Sequence, residues 1–141
     1  MKKSLLALAV LASFAGVASA QTNVTVYGVV DAGIVHETGG AAGSSLRLSS
    51  GVQSGSRLGF KGTEDLGGGL SAKFQLEQGV LIDTGVSGQG GVLFGRQAWV
   101  GLGGNFGQVS AGRQYTPIFV LLDSIDPFGT GLTGDSQNLF V

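Results

Sequence analysis

The sequence predicts an all-β protein whose antiparallel strands form a transmembrane β-barrel. Three observations point there: side chains alternate in character with a period of two in several separate segments, the links between those segments are short and long by turns, and the first stretch is built like an export signal.

The start of the chain comes first. Lys2 and Lys3 supply a charged beginning, Leu5 to Leu11 an apolar run, and Ala18-Ser19-Ala20 a small-residue cleavage site, so residues 1–20 are expected to be removed on export and the mature chain to begin at Gln21. A spanning helix competes for the same residues, but Ser13 and Gly16 interrupt the run well short of the roughly 20 apolar residues a bilayer requires. Residues 21–141 then make one incomplete barrel domain. Its 27 glycines and 2 prolines favour strands and tight turns over long helices, and without cysteine no disulfide can hold the fold together. A net charge of -1 and the lack of any Lys/Arg-rich tract leave nothing to attract nucleic acid.

The first strand is predicted over Val24 to Ile34, with Val24, Val26, Gly28, Val30, Ala32 and Ile34 on one face and Thr25, Tyr27, Val29, Asp31 and Gly33 on the other. The second, Ser56 to Gly62, sets Leu58 and Phe60 against Arg57 and Lys61. A polar, glycine-rich turn over Thr63 to Gly69 leads into the third, where Leu70, Ala72, Phe74 and Leu76 oppose Ser71, Lys73, Gln75 and Glu77. The fourth strand fits Gly95 to Leu102, with Gln97 and Trp99 facing away from Arg96, Ala98 and Val100. A turn at Gly103 to Gly107 introduces the fifth, Gln108 to Gln114, in which Val109, Ala111 and Arg113 share a face. Long links follow the first, third and fifth strands, about Glu37 to Gly55, Gly79 to Leu93 and Tyr115 to Asn138. Tight turns at one end with extended loops at the other is the habit of an outer-membrane barrel.

Alternation alone also fits a soluble sandwich or a lipocalin-like barrel, in which the apolar face turns inward. The export signal, the loop asymmetry and the missing cysteines favour the membrane. Two other readings stay open on the residues: a non-channel outer-membrane barrel serving adhesion or structure, and a secreted soluble β-protein that binds a ligand.

Several blocks carry a resemblance. The run Ser56-Arg57-Leu58-Gly59-Phe60-Lys61-Gly62-Thr63-Glu64-Asp65-Leu66-Gly67-Gly68-Gly69-Leu70 resembles the hairpin joining strands two and three of Gram-negative general porins. In the same order and spacing, Val26-Tyr27-Gly28 resembles that family's first strand, Gly104-Asn105-Phe106-Gly107 with Gly112-Arg113-Gln114 its turn into strand five, and Asp126-Pro127-Phe128-Gly129 the tip of its third loop. The resemblance implies a homotrimeric, sixteen-stranded, water-filled barrel in outer-membrane lipid, with the third loop folded inward as a constriction that small hydrophilic solutes and ions cross passively. The present sequence would then hold the first five strands and that loop. It reaches Leu139-Phe140-Val141 about where strand six would start. Five strands in lipid would leave backbone groups unpaired at several kcal/mol each, roughly, so a fragment of a longer chain or a truncated product is expected.

Selectivity in such a pore is electrostatic. With even positions of the first three strands toward lipid, Tyr27, Asp31, Arg57, Lys61, Lys73, Gln75 and Glu77 are expected to face the lumen. The resemblance places Arg57 and Arg96 in a basic ladder on the wall, with Arg96 inward if Trp99 looks outward, and Asp123 and Asp126 opposite them on the loop. Lys61 and Lys73 lie nearer the tight turns, as rim charges. Phe128 and Gly129 are expected to anchor the loop tip against the wall, and Trp99 and Phe60 to join the apolar belt or its aromatic borders. Parity sets Arg113 on the outer face, where an unpaired Arg near midplane would cost roughly 2 to 4 kcal/mol, so a subunit contact is expected. His36 has no second histidine or cysteine to share a metal. No GxSxG, HExxH or GxxxxGK[ST] occurs, and neither catalysis nor a cofactor is expected.

Overall fold

The computed structural model describes residues 23–40, 43–132 and 134–139. The export signal expected over residues 1–20 lies outside the described residues, as do Phe140 and Val141, where a sixth strand is expected to begin.

Strands β1 (Asn23–Val29), β2 (Ala32–Gly40), β3 (Gly43–Ser50), β4 (Arg57–Gly67), β5 (Leu70–Gly79), β6 (Gln97–Gly104) and β7 (Gly107–Arg113) follow one another along the chain, with a short helical turn (Gly88–Gly91) between β5 and β6 and, after the last strand, a helix, α1 (Pro117–Ile125), and a 3-10 turn (Ser136–Leu139). Five of the strands make a single sheet in the order β1-β4-β5-β6-β7, antiparallel throughout. The meander expected from the alternation is therefore present. The tight turns fall at one end, after β4 and after β6, and the long connections at the other. Gly67, Gly68 and Gly69 all have positive φ, a conformation that glycine alone adopts without strain, and this tightens the link expected over Thr63 to Gly69 to a two-residue turn.

The first strand is shorter than its pattern suggests. Alternation runs from Val24 to Ile34, yet β1 ends at Val29, and Ala32–Ile34 belong to a separate β2–β3 hairpin that occupies most of the link expected as a loop. The reason lies at Asp31, whose backbone N–H donates to Ser56 Oγ (2.9 Å) and whose carbonyl accepts from Gly51 N (2.8 Å), so neither group continues the ladder with β4.

Directly opposed residues in an antiparallel pair share a face. One face of the sheet carries Val24 and Val26, Leu58 and Phe60, Phe74 and Leu76, Val100 and Leu102, then Val109 and Ala111. The other carries Thr25 and Tyr27, Arg57 and Lys61, Lys73, Gln75 and Glu77, Gln97 and Trp99, and Ser110. No layer of the described chain covers the apolar face: Val26, Val100 and Val109 are 62, 65 and 67% exposed, and among the described residues no hydrophobic side chain is buried. In water such a face would forgo roughly 25 cal/mol for each Å² left uncovered, whereas in hydrocarbon it is at home. What is buried is polar: Ser56, Glu77 and Gln97. The distribution is that of an inside-out wall.

One expectation about the faces fails. Trp99 stands opposite Gln75 on the polar face and donates Nε1–H to Gln97 Oε1 (3.2 Å), so it is no part of an outward apolar belt.

Candidate functional site

The polar face of β1, β4 and β5 and the segment after β7 enclose a recess of about 470 Å³. The wall contributes Tyr27, Arg57, Glu77 and Arg96; the returning segment contributes Tyr115, Phe119, Asp123, Gly129 and Thr130. That segment turns back because Thr116 caps α1, its Oγ1 accepting from Phe119 N (3.3 Å), with Pro117 preorganised at the first helical position.

Glu77 is the hub of the wall and is 3% exposed. Its Oε1 accepts from Arg96 Nε (2.8 Å) and from Tyr115 OH (2.6 Å), and its Oε2 from Tyr27 OH (2.7 Å). Gln75 Nε2 donates to the same Tyr27 hydroxyl (2.6 Å), and Arg96 Nη2 donates to Tyr115 OH (2.6 Å), so strands β1 and β5 and the chain flanking β6 and β7 share one network. Arg96 reaches it by a route that parity does not foresee. Its N–H donates to the Glu77 carbonyl (3.2 Å) although Gln97 is the register partner of Glu77, so two residues meet one and the side chain swings to the polar face as at a β-bulge. The condition set for Arg96, an outward Trp99, is thus not met; a local irregularity brings both to the same side.

Arg57 is held differently. Its Nη1 donates to the Gly55 carbonyl (2.8 Å) and Ser54 Oγ (3.1 Å), partners that orient the guanidinium and leave its charge uncancelled, and it makes no ion pair among the described residues. Arg96, by contrast, is balanced by Glu77 at 2.8 Å. Lys61, Lys73 and Gln75 line a second recess of about 320 Å³ toward the tight turns, together with Asn23, Thr25 and Trp99 and with no acidic side chain in the lining. Lys73 Nζ lies 3.3 Å from Gln108 Oε1, and Lys61 Nζ sits 5.4 Å above the Tyr27 ring.

The two loop acids separate in role. Asp123 lines the main recess and accepts from Thr130 Oγ1 (2.7 Å). Asp126 does not line it; its carboxylate takes the backbone N–H groups of Phe128 (2.9 Å), Ser136 (3.0 Å) and Thr130 (3.2 Å). Those bonds, that from Ser136 foremost, hold its pKa below the ordinary aspartate value. A depressed folded-state pKa means the contribution is present at neutral pH and fades as pH falls through the aspartate range. Amide exchange at Phe128, Thr130 and Ser136 is therefore expected to keep its protection until pH falls below the ordinary aspartate range in the folded full-length protein, with Asp126→Asn losing it at neutral pH.

Pro127 begins the tip; the Phe128 ring lies over Gly134, within the loop itself, and the ties to the wall side run through the main chain of the tip, Gln53 Nε2 donating to the Phe128 carbonyl (2.9 Å) and Leu132 N to the Val52 carbonyl (3.2 Å). Asp31 does not line either recess, and its carboxylate accepts from the amides of residues 52–54. Arg113 stands opposite Ala98 on the apolar face and reaches the Gly95 carbonyl at 3.4 Å. His36 pairs with Ser44 Oγ (2.7 Å), and among the described residues no group of three or more metal-ligating side chains occurs. Tyr115 and Thr130 were not singled out from the sequence. Both lie in the long link after β7, where no periodicity marks which side chains turn back to the wall.

Residues 7–141 match the family described as Gram-negative porin. An outer membrane porin protein of Bordetella pertussis is 47% identical over 93% of this chain and 38% of its own length. Outer membrane porin protein 32 of Delftia acidovorans is 48% identical over 94% of the chain and 37% of its own. Among solved structures, the anion-selective porin from Comamonas acidovorans superposes with a TM-score of 0.69 at 43% identity, covering 77% of this chain and 32% of that one. The chain thus spans less than two-fifths of the length of these relatives. Family match, identity and an antiparallel wall with its apolar side outward agree, and the chain belongs to the Gram-negative porin family.

Proposed function

We propose that the complete protein is a passive diffusion channel for small hydrophilic solutes and ions across the outer membrane, and that this chain supplies its first wall strands and its constriction loop. One observation carries the reading: a charged recess in which Arg57 and Arg96 on the wall share space with Asp123 on the returning segment. Fixed charges across confined water sort ions and orient dipoles without any chemical step. The barrel is sixteen-stranded and assembles as a homotrimer embedded in outer-membrane lipid.

Anions are the preferred ions. Arg57 has no ion-pair partner among the described residues, Arg96 is offset by Glu77, and the recess at the tight-turn end holds Lys61 and Lys73 with no acid in its lining, so the strand wall carries uncancelled positive charge that Asp123, across the main recess, offsets only in part. A positive lining raises the local anion concentration.

Single-channel recordings of the full-length protein in a planar bilayer test this. Arg57→Ser and Arg96→Ser should each shift the reversal potential in a salt gradient toward cations, the first by removing an unpaired positive charge and the second by leaving the Glu77 carboxylate unbalanced. An unchanged ion preference in both variants would remove these residues from the constriction, and a wild type that conducts nothing would end the channel reading.

Arg113 lies at the subunit contact. On a face otherwise composed of Val109, Ala111 and Ala98, a guanidinium is stabilised by an acid or carbonyl of a neighbouring copy rather than by lipid. Arg113→Ala should lower the temperature at which the trimer dissociates in detergent by several degrees, for a loss of about 1 to 3 kcal/mol. Unaltered dissociation would place Arg113 elsewhere.

A further inference from the structure

We propose that Asp31 is a positioning residue that sets the constriction loop and the Arg57 guanidinium in register with each other, although it lines neither recess. The inference rests on the channel reading above and adds to it the part that holds the two sides of the constriction at a fixed spacing.

The carboxylate of Asp31 folds a short segment of chain some twenty residues away. Oδ1 accepts from Val52 N (3.0 Å), and Oδ2 from Gln53 N (3.1 Å) and Ser54 N (2.9 Å). Three successive amides converging on one anion make a nest that only a carboxylate fills from both oxygens. Asp31 is in turn immobilised through its own backbone: Ser56, 4% exposed, accepts from the Asp31 N–H (2.9 Å) and donates to the Asp31 carbonyl (2.8 Å).

The segment so folded is a platform with two tenants. On one side Val52 and Gln53 hold the loop tip, through Leu132 N to the Val52 carbonyl and Gln53 Nε2 to the Phe128 carbonyl. On the other, Ser54 Oγ and the Gly55 carbonyl hold Arg57. Loop and basic side chain therefore rest on consecutive residues of one clamped stretch, and their separation is fixed by what clamps it. An asparagine at 31 has the same shape but a single acceptor oxygen, and its NH₂ would meet backbone donors head on. The platform would loosen while the sheet, which uses none of these bonds, stayed intact.

The test uses the full-length protein with Asp31→Asn and, separately, Gln53→Ala, which removes one loop tie and leaves the nest. Folding is judged by trimer mobility on unheated gels. In Asp31→Asn, amide exchange over residues 52–54 and at Leu132 should rise about tenfold, the scale of one lost hydrogen bond, and open-channel current noise should increase with a weaker anion preference. Gln53→Ala should raise the noise while leaving exchange over 52–54 and the ion preference close to wild type. Folded Asp31→Asn with wild-type exchange at Leu132 and wild-type ion preference overturns the proposal. If Asp31→Asn does not assemble, Gln53→Ala decides, since wild-type noise there would show that the platform does not hold the loop. A wild type without conductance would sink the channel reading alone, and exchange at Leu132 in folded Asp31→Asn would still decide the positioning role.

Discussion

Glu77→Ala is expected to destabilise the folded full-length barrel by about 3 kcal/mol, the lower part of the range for removing one partner of a buried pair. The substitution leaves the Arg96 guanidinium and two tyrosine hydroxyls without their shared acceptor, at a point where the Glu77 and Arg96 side chains are 4 and 17% exposed. Arg96→Met alone should also be costly, because it strands the carboxylate. The double variant Glu77→Leu with Arg96→Met should recover much of the loss, since a well-packed apolar pair avoids both desolvation terms. Urea unfolding of the refolded protein in detergent measures all three. A double variant no more stable than the sum of its singles would mean that the two residues do not act as a pair. Glu77→Gln should in addition strengthen anion preference, because it leaves Arg96 charged and unbalanced.

Gly112→Ala should be as damaging, for a reason of backbone rather than charge. Gly112 has a φ of +125°, and a β-carbon there would press on the Ala98 carbonyl oxygen and on Trp99 Cα, both main-chain atoms of the neighbouring strand. Neither can rotate away. Strain of about 1 to 3 kcal/mol from the backbone conformation, with a comparable amount from forced separation of β6 and β7, gives an expected loss on the order of 3 kcal/mol. Ser110→Ala, in the same strand, is the control and should fall within about 0.5 kcal/mol of wild type. Equal yields of folded protein from the two variants on refolding would refute the assignment of Gly112 as a point of obligatory close approach.

What could be read from the sequence was what a single strand carries within itself. Leu70, Ala72, Phe74 and Leu76 announce one face of β5 without reference to any neighbour, and the parity of Arg113 with Val109 and Ala111 survives for the same reason. What could not be read depended on a partner strand or on a broken ladder. Trp99 was expected in the outward belt or its aromatic borders, where tryptophan is common in barrels; its place is decided by standing opposite Gln75, which no window around residue 99 contains. The end of β1 at Val29 was hidden because the alternation continues unbroken through Ile34, while the interruption comes from Ser56 and the 51–54 segment, more than twenty residues on. The difference between Asp123 and Asp126 was equally out of reach: both are acids of one loop, and only the three amides gathered around Asp126 set them apart.

Among the described residues the β2–β3 hairpin packs extensively against no strand of the five-stranded sheet, and it is joined to the sheet at its base, beside Asp31 and Ser50. A ribbon fastened at one end behaves as a cantilever. A push on its far end arrives at the root as torque, multiplied by the length of the arm, and the root is the same short stretch of chain on which the basic side chain and the returning segment are seated.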